Sequence, residues 1–128
     1  MQERYLGDSH DYIKFALLRS LQKALDLRIG VNWYLTDPEN NRDGEQRDFL
    51  DKPEWGRLDK PLFEKLRPFR RREYRTLKNF EQEGILPANT LFYEQKVPVR
   101  EDRSRWHKQA LSALLNAGLI FLDQAETC

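Results

Sequence analysis

Three carboxylates stand where strands are expected to end: Asp37, Glu94 and Asp123. In open parallel sheets, ligands bind outside the carboxyl ends of the strands. Gathered at such an edge, three acids could hold a magnesium or manganese ion through oxygen ligands, or accept hydrogen bonds from a ribose or an amine. Acids also follow strands as ordinary turn formers and helix caps. Glu94-Gln95-Lys96 matches the Glu-x-Lys half of a metal-dependent nuclease motif, with Asp37 as the upstream ligand. There the acids would hold the metal and Lys96 would orient the attacking water. A triplet this short arises by chance in a chain with 34% charged residues.

A second group opens the chain. Gly7, Asp8, His10, Asp11 and Lys14, with Ser9 among them, are candidates to line a pocket. A Ser-His-Asp triad needs adjacency in space, and neighbours at a helix start point in different directions. Capping explains Asp8, Ser9 and Asp11 more simply. The only other histidine, His107, is too distant in sequence to suggest a metal spacing.

The third group is electrostatic. Arg67, Arg70, Arg71, Arg72, Arg75 and Lys78 form a basic arm, and the segment 57–78 holds nine bases against three acids. On a helix, Arg71, Arg75 and Lys78 share a face that could track phosphates. Phe69 and Tyr74 could stack on bases or pack into the core. The segment 37–54 carries seven acids and three bases. The two regions could therefore neutralise each other as readily as either could meet a partner.

The elements that must position these groups are legible in outline. Asp8 or Ser9 caps a helix running to Asp26. Ile13, Leu17, Leu21 and Leu25 lie four apart, which predicts its buried face. From Arg28 to Leu35 the pattern alternates, with Ile29, Val31 and Trp33 on one face and Gly30, Asn32 and Tyr34 on the other. Pro38 ends that strand. A polar insert (37–56) follows, with Asn40-Asn41 and Asp43-Gly44 turn signals, pinned by Phe49, Leu50 and Trp55. A basic helical arm (57–84) holds a short helix capped by Asp59 and a longer one over Arg70–Glu83, closed by Gly84. A βαβ unit (90–123) ends the chain, with a helix over 102–116 burying Trp106, Ala110, Ala113 and Leu114, and a short buried strand from Leu119. The expected fold class is α/β, a single domain (1–128) with a small, mainly parallel sheet of three or slightly more strands flanked by helices.

Composition excludes several classes. A net charge of +1 gives no global field toward nucleic acid or membrane. The single cysteine, Cys128, rules out a disulfide within the chain and fits a reducing, cytoplasmic setting. No apolar run reaches the roughly 18 residues of a membrane helix. The six glycines are scattered without a Gly-x-Gly pair, so neither a dinucleotide fingerprint nor a phosphate loop is present. A glycine-rich S-adenosylmethionine loop is missing as well.

Tyr5-Leu6-Gly7-Asp8-Ser9-His10-Asp11-Tyr12-Ile13-Lys14, followed by Gly30-Val31-Asn32-Trp33-Tyr34-Leu35-Thr36-Asp37-Pro38, resembles a family of uncharacterised bacterial and phage proteins. That layout is similar in turn to the large-subunit rRNA adenine methyltransferases. These carry a Gly-Asn-x-x-Asp-x-x-Lys element near the N-terminus and an Asp-Pro-Pro-type catalytic turn. The resemblance places Gly7, Asp8, Asp11 and Lys14 on the first element and Asp123 on the first residue of the second. After Asp123 comes Gln124, without the proline turn. The resemblance therefore implies a truncated, catalytically silent relative that binds nucleic acid or a nucleic-acid-processing protein. A phage-encoded inhibitor of a host defence complex, imitating phosphate charge with its acidic insert, is an alternative. A metal-dependent nuclease or divergent methyltransferase, using magnesium, manganese or S-adenosylmethionine, is another. A shortened sheet leaves an open edge, which favours a homodimer.

Overall fold

The computed structural model describes residues 1–39 and 45–124. Helix α1 spans Ser9–Leu25 and strand β1 Ile29–Asn32. The polar insert returns through 3-10 turns at Asp48–Asp51 and Pro53–Arg57 to helix α2, Lys60–Leu66. Two more 3-10 turns, Arg67–Arg70 and Arg72–Tyr74, lead into the short helix α3, Leu77–Gln82. Strand β2 (Leu91–Tyr93), helix α4 (Arg103–Ala113) and strand β3 (Leu119–Leu122) complete the order. The strands form one parallel sheet in the order β2-β1-β3, with Val31 level with Phe92 on one side and Phe121 on the other. The fold is thus the small parallel α/β arrangement expected, with β1 at its centre. Among the described residues, no helix is long and apolar enough to cross a membrane.

The two faces of β1 divide the core as the alternation predicts. Ile29, Val31 and Trp33 are buried against α1, α2 and α3. Phe15, Trp33, Phe80, Phe92 and Phe121 form a continuous set of ring contacts there, with centroids 4.9–6.0 Å apart. The other face lies under α4, whose Trp106 and Ala110 are buried with Tyr93 and with Leu114, the residue that caps the helix. Gly30 makes that approach possible: a Cβ there would sit 2.9 Å from Cβ of Ala117. The insert is pinned as expected. Phe49 and Leu50 are buried, and the rings of Phe49 and Trp55 pack on Tyr12. The Tyr12 hydroxyl donates to the Trp55 carbonyl at 2.5 Å and accepts from the Asp59 amide at 3.1 Å. The Asn40-Asn41 and Asp43-Gly44 turn signals lie outside the described residues.

Several expectations are corrected. The face of α1 turned inward is Asp11, Tyr12, Phe15, Ala16 and Leu18. Ile13, Leu17, Leu21 and Leu25 are exposed at 51, 60, 39 and 53%. Aromatic side chains reach further into this core than the leucine ladder and take the inner face. The helix expected over Arg70–Glu83 exists only as α3, because Thr76 caps it by accepting from the Asn79 amide and the preceding residues form 3-10 turns. Ala113 on α4 is exposed, and β3 is half-exposed because it is an edge strand.

Candidate functional site

The carboxyl ends of β1 and β3 meet the start of α1, and the densest buried polar cluster lies there. Asp8 is the N-cap of α1 and accepts from the Asp11 amide at 2.8 Å. Asp11 reaches back to accept from the Gly7 amide at 3.0 Å, a reciprocal arrangement akin to a capping box. Gly7 adopts φ +81°, a conformation that favours glycine, and the chain there runs against Phe69. One turn on, Lys14 extends its ammonium between two carboxylates, 3.3 Å from Asp11 and 2.7 Å from Asp123.

The strand ends are held just as closely. The Asp123 amide donates to the Asn32 carbonyl at 2.9 Å, which anchors the end of β3 to the end of β1. Buried Asn32 accepts from the Tyr34 amide at 3.2 Å. Tyr34 takes φ +47°, a strained conformation for a bulky side chain and one concentrated at functional sites. The Met1 amine donates to the Tyr34 carbonyl at 2.6 Å. Burial holds that amine below its ordinary pKa, with Asp123 opposing the shift.

Electrostatics in the cluster follow from burial. Desolvation pushes the Asp11 carboxyl up, Lys14 pulls it down, and Asp123 and Asp8 add to the rise, which leaves it at about 7. Burial also works against the Lys14 ammonium, but Asp11 and Asp123 outweigh it and hold its pKa above the ordinary lysine value. Asp123 is buried, and its Oδ2 has no hydrogen-bond partner. Such an orphaned acceptor costs on the order of 1–3 kcal/mol.

Of the predicted pocket-lining residues, Gly7, Asp8, Asp11 and Lys14 converge on this cluster. His10 does not: it is exposed, with Nδ1 4.0 Å from Asp8. The three strand-end acids also separate. Asp123 pairs with Lys14, and Asp37 forms an exposed ion pair with Lys96. Glu94 shares a hydrogen bond with Glu81. Parallel strands of unequal length, with Trp33 to Leu35 carrying the chain beyond β1, leave Asp37 away from the β3 end. Among the described residues, no group of three His, Cys, Asp or Glu side chains could hold a metal ion. The cluster does not fit a glycine-cradled S-adenosylmethionine either, since β1 runs into Trp33 and Tyr34 where close backbone approach would be needed.

The basic arm is partly spent inside the molecule. Arg75 is buried, donating to the carbonyls of Phe69 at 2.8 Å and Arg70 at 2.9 Å. Arg70 pairs with Asp51, Arg72 lies 3.8 Å from Glu45, and Arg67 is 3.3 Å from Glu64. The insert and the arm therefore neutralise each other in part. Arg71 and Lys78 are exposed and have no ion pair among the described residues. They do not share a helix face with Arg75.

Two features carry no signal in residue types or spacing. Arg47 is buried and donates to the carbonyls of Arg4 at 2.8 Å and Leu6 at 2.7 Å; burial and the neighbouring Arg75 lower its pKa to about 10. Glu81 accepts from the Trp33 indole at 3.1 Å. Burial and the hydrogen bond with Glu94 push Glu81 up to about 8, against the pull of Trp33. No protein-family model matches the chain, and neither does any curated protein or solved structure.

Proposed function

We propose that this chain is a non-catalytic binding protein of methyltransferase-like ancestry that engages nucleic acid or a nucleic-acid-processing protein. The observation that carries the reading is the closure of Lys14 onto Asp123. The resemblance puts Asp123 at the head of a catalytic turn and Lys14 in the N-terminal Gly-Asn-x-x-Asp-x-x-Lys element. An acid buried beneath the Lys14 ammonium stabilises the strand ends and is withheld from a substrate. The surface left for recognition includes Arg71 and Lys78, which have no ion pair among the described residues. Surface mimicry through the insert is less favoured, because Glu45 and Asp51 already face arginines of the arm.

A gel shift with short RNA and DNA, repeated over a salt series, tests the nucleic-acid part. Changing Arg71→Glu and Lys78→Glu together is expected to weaken binding at least tenfold and lower the salt slope by about two. Unchanged binding by the variant, or no binding by the wild type at low salt, overturns it. Calorimetry with S-adenosylmethionine is expected to be silent, and measurable heat of binding overturns the non-catalytic part.

A further inference from the structure

We propose that two copies of this chain associate through the free edge of β3, joining their sheets across a twofold axis at Phe121. Edge strands in soluble proteins are usually blunted by charge, proline or a bulge. Leu119-Ile120-Phe121-Leu122 has none of these, and β3 is an edge of the sheet.

The backbone register suits self-pairing. The amides of Leu119 and Asp123 donate to the carbonyls of Arg28 and Asn32, at 3.1 and 2.9 Å. In a parallel ladder the alternate residues face the other way. Ile120 and Leu122 therefore present their N–H and C=O groups to the open side. In an antiparallel pairing centred on Phe121, Ile120 of each copy opposes Leu122 of the other. Both pairs are then of the hydrogen-bonded kind, and four backbone hydrogen bonds form.

Side chains on both sides of the sheet match that geometry. Ile120 and Leu122 point to the α4 side and are 42 and 52% exposed. On that side of the sheet lie α4 and the turn that follows it, which carry Leu111 and Leu115. Those two side chains are 65 and 78% exposed. On the opposite side, α1 lies against β3 through Phe15–Phe121 and Lys14–Asp123, and its ladder from Ile13 to Leu25 is exposed. A twofold axis normal to the sheet brings like face beside like face, so apolar meets apolar. At roughly half exposure, these eight aliphatic side chains present on the order of 700 Å2, close to the about 800 Å2 per partner of a stable interface.

The proposal is independent of the nucleic-acid reading, since it uses none of the same residues. Light scattering coupled to size exclusion, at tens of micromolar protein, is expected to give twice the chain mass. Ile120→Lys and, separately, Leu17→Glu are expected to shift it to the monomer, with unchanged circular dichroism because both positions are already exposed. Hydrogen exchange of the unmodified chain is expected to show protection at the Ile120 and Leu122 amides that falls at least tenfold on dilution. A wild-type monomer overturns the proposal. So does a dimer that persists in Ile120→Lys, an open-ended series of larger species, or protection of those two amides that does not change with concentration.

Discussion

Replacing Lys14 with methionine tests the central cluster most directly. Methionine keeps much of the length and apolar volume of the lysine stem and removes only the ammonium. What remains is two buried carboxylates, Asp11 and Asp123, with no cation between them. Breaking a fully buried pair costs about 3–5 kcal/mol, while an exposed pair is worth about 0–1 kcal/mol. The lysine side chain is 36% exposed and the acids are 3 and 4% exposed. Water screens one partner only, which sets the expected loss near 2 kcal/mol at pH 8. The loss depends on pH with a definite sign. The Asp11 carboxyl titrates near 7 in the native state against an ordinary 3.8, so between those values the native state holds a proton that the unfolded chain has released. Stability from this group is complete below the lower value and lost as pH rises through the upper one. At pH 5 a protonated Asp11 needs no cation, and Lys14→Met is expected to cost clearly less than at pH 8. Urea denaturation followed by circular dichroism at the two pH values measures both numbers. Adding Asp123→Asn should recover part of the loss at pH 8, a non-additivity that marks direct coupling. A penalty equal at pH 5 and pH 8, or below about 0.5 kcal/mol at pH 8, refutes the cluster as an electrostatic unit.

Glu81→Gln removes another raised carboxyl while keeping an acceptor for the Trp33 indole. The native carboxyl titrates near 8 against an ordinary 4.5, so wild-type stability should fall between those values. Thermal melts at pH 5 and pH 8 are expected to show a smaller fall in the variant, and an identical fall counts against the assignment. Gly7→Ala places a Cβ 2.4 Å from Cβ of Phe69 at φ +81°. Strain and overpacking together should cost about 2–4 kcal/mol by urea midpoint. Gly56→Ala, whose Cβ would meet Phe63 no closer than 3.5 Å, is the control and should cost less than about 1 kcal/mol. Equal losses at the two glycines would mean that the contact with Phe69 relaxes.

Local chemistry was legible wherever one residue decides the outcome. Asp8 caps α1, Asp59 caps α2, and Asp26 closes α1 in the left-handed region, all as residue type and position predict. The alternation of β1 was legible for the same reason, since a period of two assigns each side chain to a face. Helix faces were harder. On α1, the ladder from Ile13 to Leu25 and the set Tyr12, Phe15, Ala16 are both apolar and lie on different sides of one helix. Periodicity alone ranks the longer ladder first, but packing favours the rings, because Phe15 meets Trp33, Phe80 and Phe121 together. The inner face also carries Asp11, which no hydrophobic pattern would place inside. The arginines misled in the opposite direction. Arg75 reads as a surface charge until its guanidinium is seen to hold the carbonyls of Phe69 and Arg70, partners that every residue supplies and no side-chain pattern reveals.

The first fourteen residues and Asp123 therefore belong to one electrostatic unit separated by most of the chain. Below about pH 7 Asp11 holds its proton and adds no charge beside Lys14; above it Asp11 adds one negative charge to the cluster. In either state Lys14 fills the space between the acids, and the free Oδ2 of Asp123 can only accept. That oxygen is sealed from solvent, so it is closed to a ligand as it is to water. A carboxylate or phosphate would meet two acids and gain nothing. The phosphate recognition proposed above therefore rests on Arg71, Lys78 and the outer surface and not on this acidic edge.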